Sequence, residues 1–462
     1  MFRGRIRTIH FVGIGGVGMS GIAEVLLGHK FKVTGSDLRE NEYTKHLVER
    51  GARLFLGHSE RNVDGADVVV FSSAVPSDNP ELRVARARGI PVIRRAEMLG
   101  ELMRLKDGIG IAGSHGKTTT TSLVATVLCE AGLDPTVVIG GRLNALGSGG
   151  TKGAGDLLIA EADESDGAFL QLTPSIAVIT NIDPEHLDQW GSFARLKDAF
   201  VEFANRVPFY GLVVACLDHP HVQELLPRLD RRTTTYGMAA QADYRVRNPR
   251  FEGVSAVFDV VRRGEELGTF EVRMPGIHNV LNALATIAVA DELQVPHDCV
   301  RESLRNFSGV QRRFSILGER QGVTVVDDYG HHPAEIRATL EAAQRAWGRR
   351  LVVAFQPHRY TRTKHLFQEL TQAFNRADVL LVSDVYAAGE SPIDGATSDR
   401  LVDAIRAHGH RDVTHVSDSA SFAEQIFACL QPQDVVVVLG AGSVSQVAPS
   451  LFQMLEEQKL SR

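Results

Sequence analysis

The sequence predicts an α/β protein built from three successive nucleotide-type sheets, and three observations carry that prediction. Short apolar runs alternate with amphipathic stretches, the pattern of parallel strands joined by crossover helices. Two of those runs lead straight into glycine turns that open a helix, at Gly13 and at Gly113. A chain of 462 residues also exceeds what a single core usually holds, so several domains are expected.

In chain order, TIHFV (8–12), FKVTGSD (31–37) and ADVVVFSSAV (66–75) predict the strands of the first sheet. After RRAEMLGELMRLKDG a second cycle begins at Gly108, with strands over 156–163, 175–183 and 211–218. Between them TTSLVATVLCEA predicts a helix that Gly132 stops. Alternating, β-branched residues over 243–273 predict antiparallel strands inserted before the helix HNVLNALATIAVADEL. A third cycle from about residue 314 has strands over 323–328, 350–357, 377–385 and 434–443. Joints near 105 and 313 then give domains of residues 1–105, 106–313 and 314–462.

Composition narrows the function. Hydrophobic residues make up 44% and charged residues 23%, an ordinary globular balance. A net charge of -6 disfavours a nucleic-acid binder. The four cysteines, at 129, 216, 299 and 429, form no CxxC pair, so neither a zinc cluster nor a disulfide framework is indicated. With no apolar run near 18 residues and no export leader in MFRGRIRTIHFVGIGG, a cytoplasmic protein outside the membrane is expected.

Four groups of residues carry chemistry. In VGIGGVGMSG, Gly13, Gly15 and Gly18 follow a strand and Asp37 closes the next one, a dinucleotide-type fingerprint that lets backbone amides approach a diphosphate. A plain tight turn is the bland alternative there, and plain turn geometry is the favoured reading of Gly440 and Gly442 in LGAGS. In IGIAGSHGKTTTTSL, Gly113 and Gly116 let amides face a phosphate, Lys117 can reach its outer oxygens, and Thr118 offers a hydroxyl to Mg²⁺. The standard spacing would put its first glycine at Ile111, so the loop is a shorter variant. The strand ends DLLIAEADESD and IAVITNIDPEHLD place Glu161, Asp163, Glu164, Asp166, Asn181, Asp183 and His186 where an α/β crevice would face that loop. Carboxylates suit a phosphate-bound Mg²⁺, whereas a histidine more often caps or packs. Finally VVDDYGHHPAEI and AFQPHRYTRT gather Asp327, Asp328, Tyr329, His331, His332, His358, Arg359 and Arg362 at one sheet edge, where paired arginines can grip a carboxylate.

Taken in this order, GIGGVGMSG, GSHGKTTTT, EADESD, TNIDPEHLD, GIHNVLNALA, DDYGHHPAEI and FQPHRYTRT resemble the Mur ligases of bacterial cell-wall synthesis, over essentially the whole chain, and within them the alanine-adding branch. The resemblance implies a Rossmann-like UDP domain, a P-loop ATPase-like central domain and a Rossmann-like C-terminal domain. It implies UDP-N-acetylmuramate, L-alanine and ATP as partners, with two Mg²⁺ sites in which Mn²⁺ can substitute. Gly113, Ser114, His115, Gly116, Lys117, Thr118 and Thr119 would be the ATP phosphate loop. Thr118, Glu161 and His186 would hold metal, while His278, Asn279, Arg313 and Asp328 would contact the nucleotide. Gly13, Gly15, Gly16, Gly18, Asp37, Ser72, Ser73, Ala74 and Val75 would hold the UDP end, and Glu164 and Ser165 would lie on the substrate side. Tyr329, His331, His358, Arg359 and Arg362 would surround the incoming alanine. Several family members carry a carbamylated lysine; Lys197 in SFARLKDAF is not assigned that part.

The implied reaction activates a carboxylate as an acyl phosphate that an amine then attacks, with Lys117, Glu161, His186, Arg313 and Asp328 as its catalytic set and a histidine, 331 or 358, to take the amine proton. Three rivals remain. An NAD-dependent dehydrogenase would use the first fingerprint but leave the phosphate loop unexplained; a recycling ligase would attach a tripeptide to the same sugar nucleotide; a nucleotide switch would leave FQPHRYTRT without a purpose.

Overall fold

The computed structural model describes residues 6–72, 74–139, 150–165, 167–417 and 421–460. The first sheet has five parallel strands in the spatial order Arg53–Leu56, Lys32–Asp37, Thr8–Val12, Val68–Phe71, Val92–Arg94. Strand order therefore reverses beside Thr8–Val12 and opens a crevice at its carboxyl end. The turn of Gly13 to Gly16 occupies that point and leads into the helix Val17–Gly28. The strand expected over 66–75 ends at Phe71, because the Ser72 hydroxyl accepts from the Ala74 amide at 3.3 Å and the Val75 amide returns to the Ser72 carbonyl at 3.0 Å, turning the chain.

A second sheet of ten strands places Asp107–Ala112 between Ile176–Ile179 and Leu157–Ala162, all parallel. Leu212–Cys216 and Thr233–Gly237 extend it parallel on one side, and the neighbours Tyr244–Glu252, Ser255–Arg262 and Glu265–Val272 complete that edge. Two-residue turns join these last three, which only antiparallel partners allow, and Gly253, Arg263 and Gly264 take the positive φ such turns need. On the other side, Thr136–Val138 pairs with Leu157–Ala162 and with the short strand Gly150–Thr151.

The third sheet runs Ser315–Arg320, Val323–Asp328, Val435–Leu439, Leu351–Phe355, Val379–Ser383, Val413–Val416, antiparallel at its first pair and parallel beyond it. The last strand in sequence thus sits between Val323–Asp328 and Leu351–Phe355. Their carboxyl-end loops, which hold Tyr329 and His358, consequently flank the turn at Gly440.

The chain divides into two compact units. One comprises Met1–Pro249, Phe258–Glu271 and Asn279–Ser308; the other comprises Arg250–Val257, Val272–His278 and Gly309–Arg462. Within the first, both sheets share one apolar core that joins Ile9, Phe11, Leu99 and Leu102 to Phe169, Phe200 and Phe203. Each such side chain gains about 1.5–3 kcal/mol from full burial. In the second, Val353, Phe355 and Val437 are buried among Ile336, Leu340 and Phe374.

A buried polar cluster supports the first glycine turn. Glu81 is fully enclosed; it accepts from the Ser36 hydroxyl at 2.5 Å and from the Asn62 amide at 2.5 Å, with His10 Nε2 at 3.5 Å and His58 Nδ1 at 3.4 Å. The Ser36 carbonyl in turn accepts from the amides of Gly13 and Ile14 at 2.9 and 3.1 Å. Burial alone would raise the Glu81 carboxyl, but hydrogen bonds from His10, Ser36 and Asn62 outweigh it and hold the group at about 2, below the ordinary 4.5. A depressed folded-state pKa gives stability that is present above the unfolded value and lost as pH falls through the folded one. Glu81→Gln is therefore predicted to cost on the order of 2–3 kcal/mol at pH 7. In urea unfolding, that difference from the unaltered chain should shrink between pH 4.5 and about 2.

Candidate active site

The strand Asp107–Ala112 ends where the phosphate loop begins, and Ile111 lies inside the strand, paired with Glu161 and Val178. The glycine missing from the standard spacing would fall on buried sheet, so the loop is the shorter segment 113–116. Gly113 and Gly116 have φ of +137° and +83°, and a Cβ on Gly113 would lie 2.0 Å from Thr180 Oγ1. Both conformation and space require glycine there. The segment after Ile176–Ile179 anchors the loop. The Ser114 amide donates to the Asn181 carbonyl at 3.1 Å, the His115 amide donates to Asn181 Oδ1 at 2.8 Å, and Thr180 Oγ1 donates to the His115 carbonyl at 2.6 Å. Gly116 then caps the helix Lys117–Glu130, whose first turn buries Thr118 and Thr119. Glycine-loop amides at a helix N-terminus make an anion cradle.

Lys117 Nζ donates to the Gly113 carbonyl at 2.5 Å and to Glu164 at 2.8 and 3.0 Å. Burial works against its charge, yet Glu164 and Asp163 outweigh burial and hold the ammonium above the ordinary lysine range. Burial also lifts the fully enclosed Glu164 carboxyl, with Lys117 opposing the lift; at 2.8 Å the geometry supports the charged pair. Ligand atoms of Glu164, Glu185 and His186 lie within 4.8 Å of one another, a group that could hold a cation. His186 sits at φ 54° before the short helix Leu187–Trp190, a conformation that costs a non-glycine residue about 1 kcal/mol or more. Asp183 lies 3.0 Å from His115 Nε2 and 3.5 Å from His219 Nε2. Burial would raise its carboxyl, but hydrogen bonds from these two histidines keep it well below the usual carboxylate range.

At the first crevice, Gly13 has φ +81°, and a Cβ added to it would meet Val75 at 3.3 Å and Ser72 at 3.5 Å. Ala74 completes that turn, while Ser73 lies outside the described residues. Gly16 caps the helix Val17–Gly28, and Gly18 lies in its first turn beneath the Arg95 guanidinium. Asp37, expected to contact ligand, accepts from the Gly15 amide at 2.8 Å and so braces the turn itself.

In the second unit, Asp328 accepts from the Phe314 and Gly330 amides at 2.7 Å each and is buried. Its carboxylate pins the turn that carries Arg312 and Phe314 at φ 58° and 51°; burial, partly opposed by Arg313, pushes it up. Arg313 lies 3.7 Å from Glu335, and both Arg312 and Arg313 stack on the Tyr329 ring at 5.1 Å. His332 caps the helix Pro333–Trp347. Arg362 donates to His358 Nδ1 at 3.0 Å, which leaves the ring proton on Nε2. Burial, reinforced by His331, Arg362 and Arg359, pushes His358 down to about 3, so the imidazole is neutral. His331 takes the opposite tautomer: its Nδ1 donates to the Tyr329 carbonyl at 3.1 Å. Arg359 has φ 68° and ψ 135°, strain held by its amide's 2.8 Å bond to the Tyr386 carbonyl.

Residues 8–107, 111–290 and 312–442 match three family models, described as Mur ligase family catalytic domain, Mur ligase middle domain, and Mur ligase glutamate ligase domain. The chain belongs to the Mur ligase family. It is 62% identical to the UDP-N-acetylmuramate--L-alanine ligase of Sorangium cellulosum, over 99% of this chain and 98% of that one. It is 59% identical to the enzyme of that name from Myxococcus xanthus, over 98% and 96%. Among solved structures it is similar to the UDP-N-acetylmuramate-alanine ligase MurC of Thermotoga maritima, with TM-score 0.85, 31% identity and coverage of 98% and 100%. A murein peptide ligase from Psychrobacter arcticus, at TM-score 0.74, 22% identity and coverage of 98% and 99%, shares the fold. The dehydrogenase and the tripeptide-adding readings are not favoured by these likenesses, and the three-domain α/β architecture of Mur ligases is that of this chain.

In this Mur ligase the pairing of Asp107–Ala112 with Leu157–Ala162 and Ile176–Ile179 brings the segments of Lys117, Thr118, Glu161, Ser165 and His186 side by side, and Glu164 pairs with Lys117. Asn279 is buried in the helix Ile277–Glu292 and accepts from Asn282, whose Oδ1 would lie 2.7 Å from a Cβ on Gly116; His278, at the start of the helix, falls in the second unit. Sequence reasoning passed over Glu185, His219, Asn282 and Arg95. The carboxylate beside His186 was visible in DPEHLD, whereas the other three are distant in sequence from what they face. Lys197 pairs with Glu224 at 2.5 Å. Removing one member of a buried pair strands the other, so Lys117→Met is predicted to cost about 3–5 kcal/mol. Adding Glu164→Gln should recover most of that loss, as urea unfolding of the single and double variants would show.

Proposed function

We propose that this Mur ligase joins L-alanine to the lactyl carboxylate of UDP-N-acetylmuramate at the expense of ATP, giving UDP-N-acetylmuramoyl-L-alanine, ADP and phosphate for peptidoglycan synthesis. The observation that carries the chemistry is the loop 113–116 with Lys117 charged behind it, at the meeting of strand ends rich in carboxylates. The choice of acceptor and amino acid follows the relatives that match the chain end to end.

In the roles we assign, residues 1–105 bind the UDP-sugar, 106–313 bind ATP and 314–462 bring the amino acid. The turn of Gly13, Gly15, Gly16 and Gly18, with Ser72 to Val75, takes the UDP end, and Asp37 shapes that turn. The amides of 113–119 and Lys117 take the ATP phosphates. The adenosine side falls to His278, Asn279 and Arg313, with Asp328 shaping the turn that presents Arg313. Thr118, Glu161 and His186 would hold Mg²⁺, and the ligand atoms of Glu185 and Glu164 gathered beside His186 fit a hard cation that prefers oxygen. When bound, the cation neutralises charge on the phosphate oxygens.

The lactyl carboxylate oxygen attacks the γ-phosphorus, the bond to the β-phosphate oxygen breaks, and ADP leaves. Lys117 and the loop amides stabilise the negative charge that spreads over the transferred group. The alanine amine then attacks the acyl carbon, loses one proton and expels phosphate. Arg359 and Arg362 grip the alanine carboxylate, with Tyr329 beside it. Of the two candidate histidines, His358 carries its proton on Nε2 and binds another only near pH 3, whereas His331 carries its proton on Nδ1, which makes Nε2 its basic nitrogen. We assign the amine proton to His331. Four free cysteines suit a reducing compartment, and we place the protein in the cytoplasm with its nucleotide substrates.

ADP release in the presence of UDP-N-acetylmuramate, scanned over L-alanine, glycine, L-serine and the cell-wall tripeptide, tests the reading. L-alanine should support turnover best, and activity with the tripeptide alone would replace this assignment by the recycling one. The Lys117→Met/Glu164→Gln double variant should stay folded and release no ADP.

A further inference from the structure

The glycine turn 440–443 and the loop 384–390 have no part in the roles assigned so far, and they meet at one aromatic ring. Tyr386 is 40% exposed, so it is not a core residue. Yet it is closely held. Its ring lies face to face with the His358 imidazole, with centroids 5.5 Å apart and planes 11° apart. A Cβ added to Gly442 would lie 2.6 Å from Tyr386 Cγ and 2.5 Å from Gln356 Oε1. Gly442 has a φ of -96°, which makes no demand for glycine, so here the residue is required by contact rather than by turn geometry. Gln356 ties the turn down: its Oε1 accepts from the Val444 amide at 3.0 Å and its Nε2 donates to Ser443 Oγ at 3.1 Å. Tyr386 therefore has a fixed backstop at Gly442 and presents a fixed face to His358.

Both arginines assigned to the alanine carboxylate are placed by reference to this one residue. The Tyr386 carbonyl accepts from the Arg359 amide at 2.8 Å, and the Tyr386 amide donates to the Pro357 carbonyl at 2.8 Å, so the backbone leading into the helix Tyr360–His365 is stitched to it. Arg359 holds φ 68° there, a conformation that persists only where its surroundings over-determine it. Arg362 Nη1 donates to His358 Nδ1 at 3.0 Å, and His358 in turn lies on the Tyr386 ring. Further along the same loop, Glu390 accepts from the Thr361 amide at 3.0 Å and from the Thr361 hydroxyl at 2.7 Å. A forked guanidinium grip on a carboxylate depends on direction as much as on charge. Small displacements of either arginine would weaken it.

We infer that Tyr386 is a positioning residue for the amino-acid site: its ring, backed by Gly442, fixes His358 and through it Arg362, while its backbone fixes Arg359. The inference rests on the proposed function, since it takes the amino-acid carboxylate as what the two arginines grip. The grip then belongs to one assembly of three loops, those that follow Leu351–Phe355, Val379–Ser383 and Val435–Leu439. Phosphoryl transfer at the central loop uses none of these contacts, so loss of the ring acts on capture of the amino acid alone.

Steady-state kinetics of the full chain and of Tyr386→Leu, Tyr386→Phe and Gly442→Ala, varying L-alanine, ATP and UDP-N-acetylmuramate in turn, test this. Loss of the stacked ring in Tyr386→Leu should raise KM for L-alanine about tenfold, with the other two KM values and kcat at saturating L-alanine within about twofold. Tyr386→Phe keeps the ring and should behave as the unaltered chain; Gly442→Ala keeps the ring but displaces it, and should follow Tyr386→Leu. An unchanged KM for L-alanine in Tyr386→Leu would overturn the inference. So would an equal rise in all three KM values, which marks a structural role, or a Tyr386→Phe as impaired as Tyr386→Leu, which assigns the effect to the hydroxyl. Should Tyr386→Leu not fold, Gly442→Ala decides by the same criteria. If the unaltered chain made no product from L-alanine, the proposed function would fail first; normal turnover with an indifferent Tyr386 would sink this inference alone.

Discussion

A lysine ammonium and a glutamate carboxylate buried together behind four loop residues are the constraint on which the site depends. Neither charge is tolerable alone in that position, so Lys117 and Glu164 must arrive together. Glu164 comes from the segment after Leu157–Ala162 and Lys117 from the loop after Asp107–Ala112. Adjacent parallel pairing of these two strands is what makes the ion pair reachable. The third neighbour, Ile176–Ile179, supplies Asn181 and Asp183, which hold the loop backbone and His115. Sheet order, loop length and charge placement are therefore one problem with one solution.

The two glycine turns of the first unit solve related problems in different ways. At Gly113 and Gly116 the glycines are forced by positive φ and by side chains of neighbouring elements, Thr180 and Asn282. At Gly15 and Gly18 the helix needs no unusual φ; the space goes instead to Asp37 and Arg95. In the first turn the Asp37 carboxylate braces the Gly15 amide from outside, and Arg95 packs against Gly18. In the second the cation is already neutralised from within. Both turns thus have a carboxylate close by, Asp37 on the Gly15 amide at the first and Glu164 on Lys117 at the second.

Much of this was legible in the sequence because strand ends in open α/β sheets line the crevice, whatever their spacing in the chain. The glycine turns, the phosphate loop and the acidic strand ends followed from that rule, and so did the hairpin strands from their alternation. What escaped falls into two kinds. Short edge strands such as Arg53–Leu56 and Val92–Arg94 are half exposed and carry little apolar signal. Residues such as Asp37 and Asp328, read from their motifs as ligand contacts, also accept from backbone amides, a task visible only once the turns they brace are in place. Arg95 and Asn282 lie in ordinary helical sequence, and only the clearance at Gly18 and Gly116 reveals what they pack against.

The tautomers of His331 and His358 show how one loop cluster divides its tasks. A proton fixed on Nε2 by Arg362 makes His358 a donor, while the Tyr329 carbonyl turns His331 the other way, although the rings lie 5.7 Å apart. Both depend on an activated acyl group being delivered to them, and that step is the centre of the proposed chemistry. UDP-N-acetylmuramate labelled with ¹⁸O in both oxygens of its lactyl carboxylate tests it directly. During turnover with ATP and L-alanine, one labelled oxygen should appear in inorganic phosphate and the other should remain in the new amide. Phosphate released without label would contradict carboxylate attack on the γ-phosphorus, and with it the role of Lys117 and its loop in stabilising that transfer.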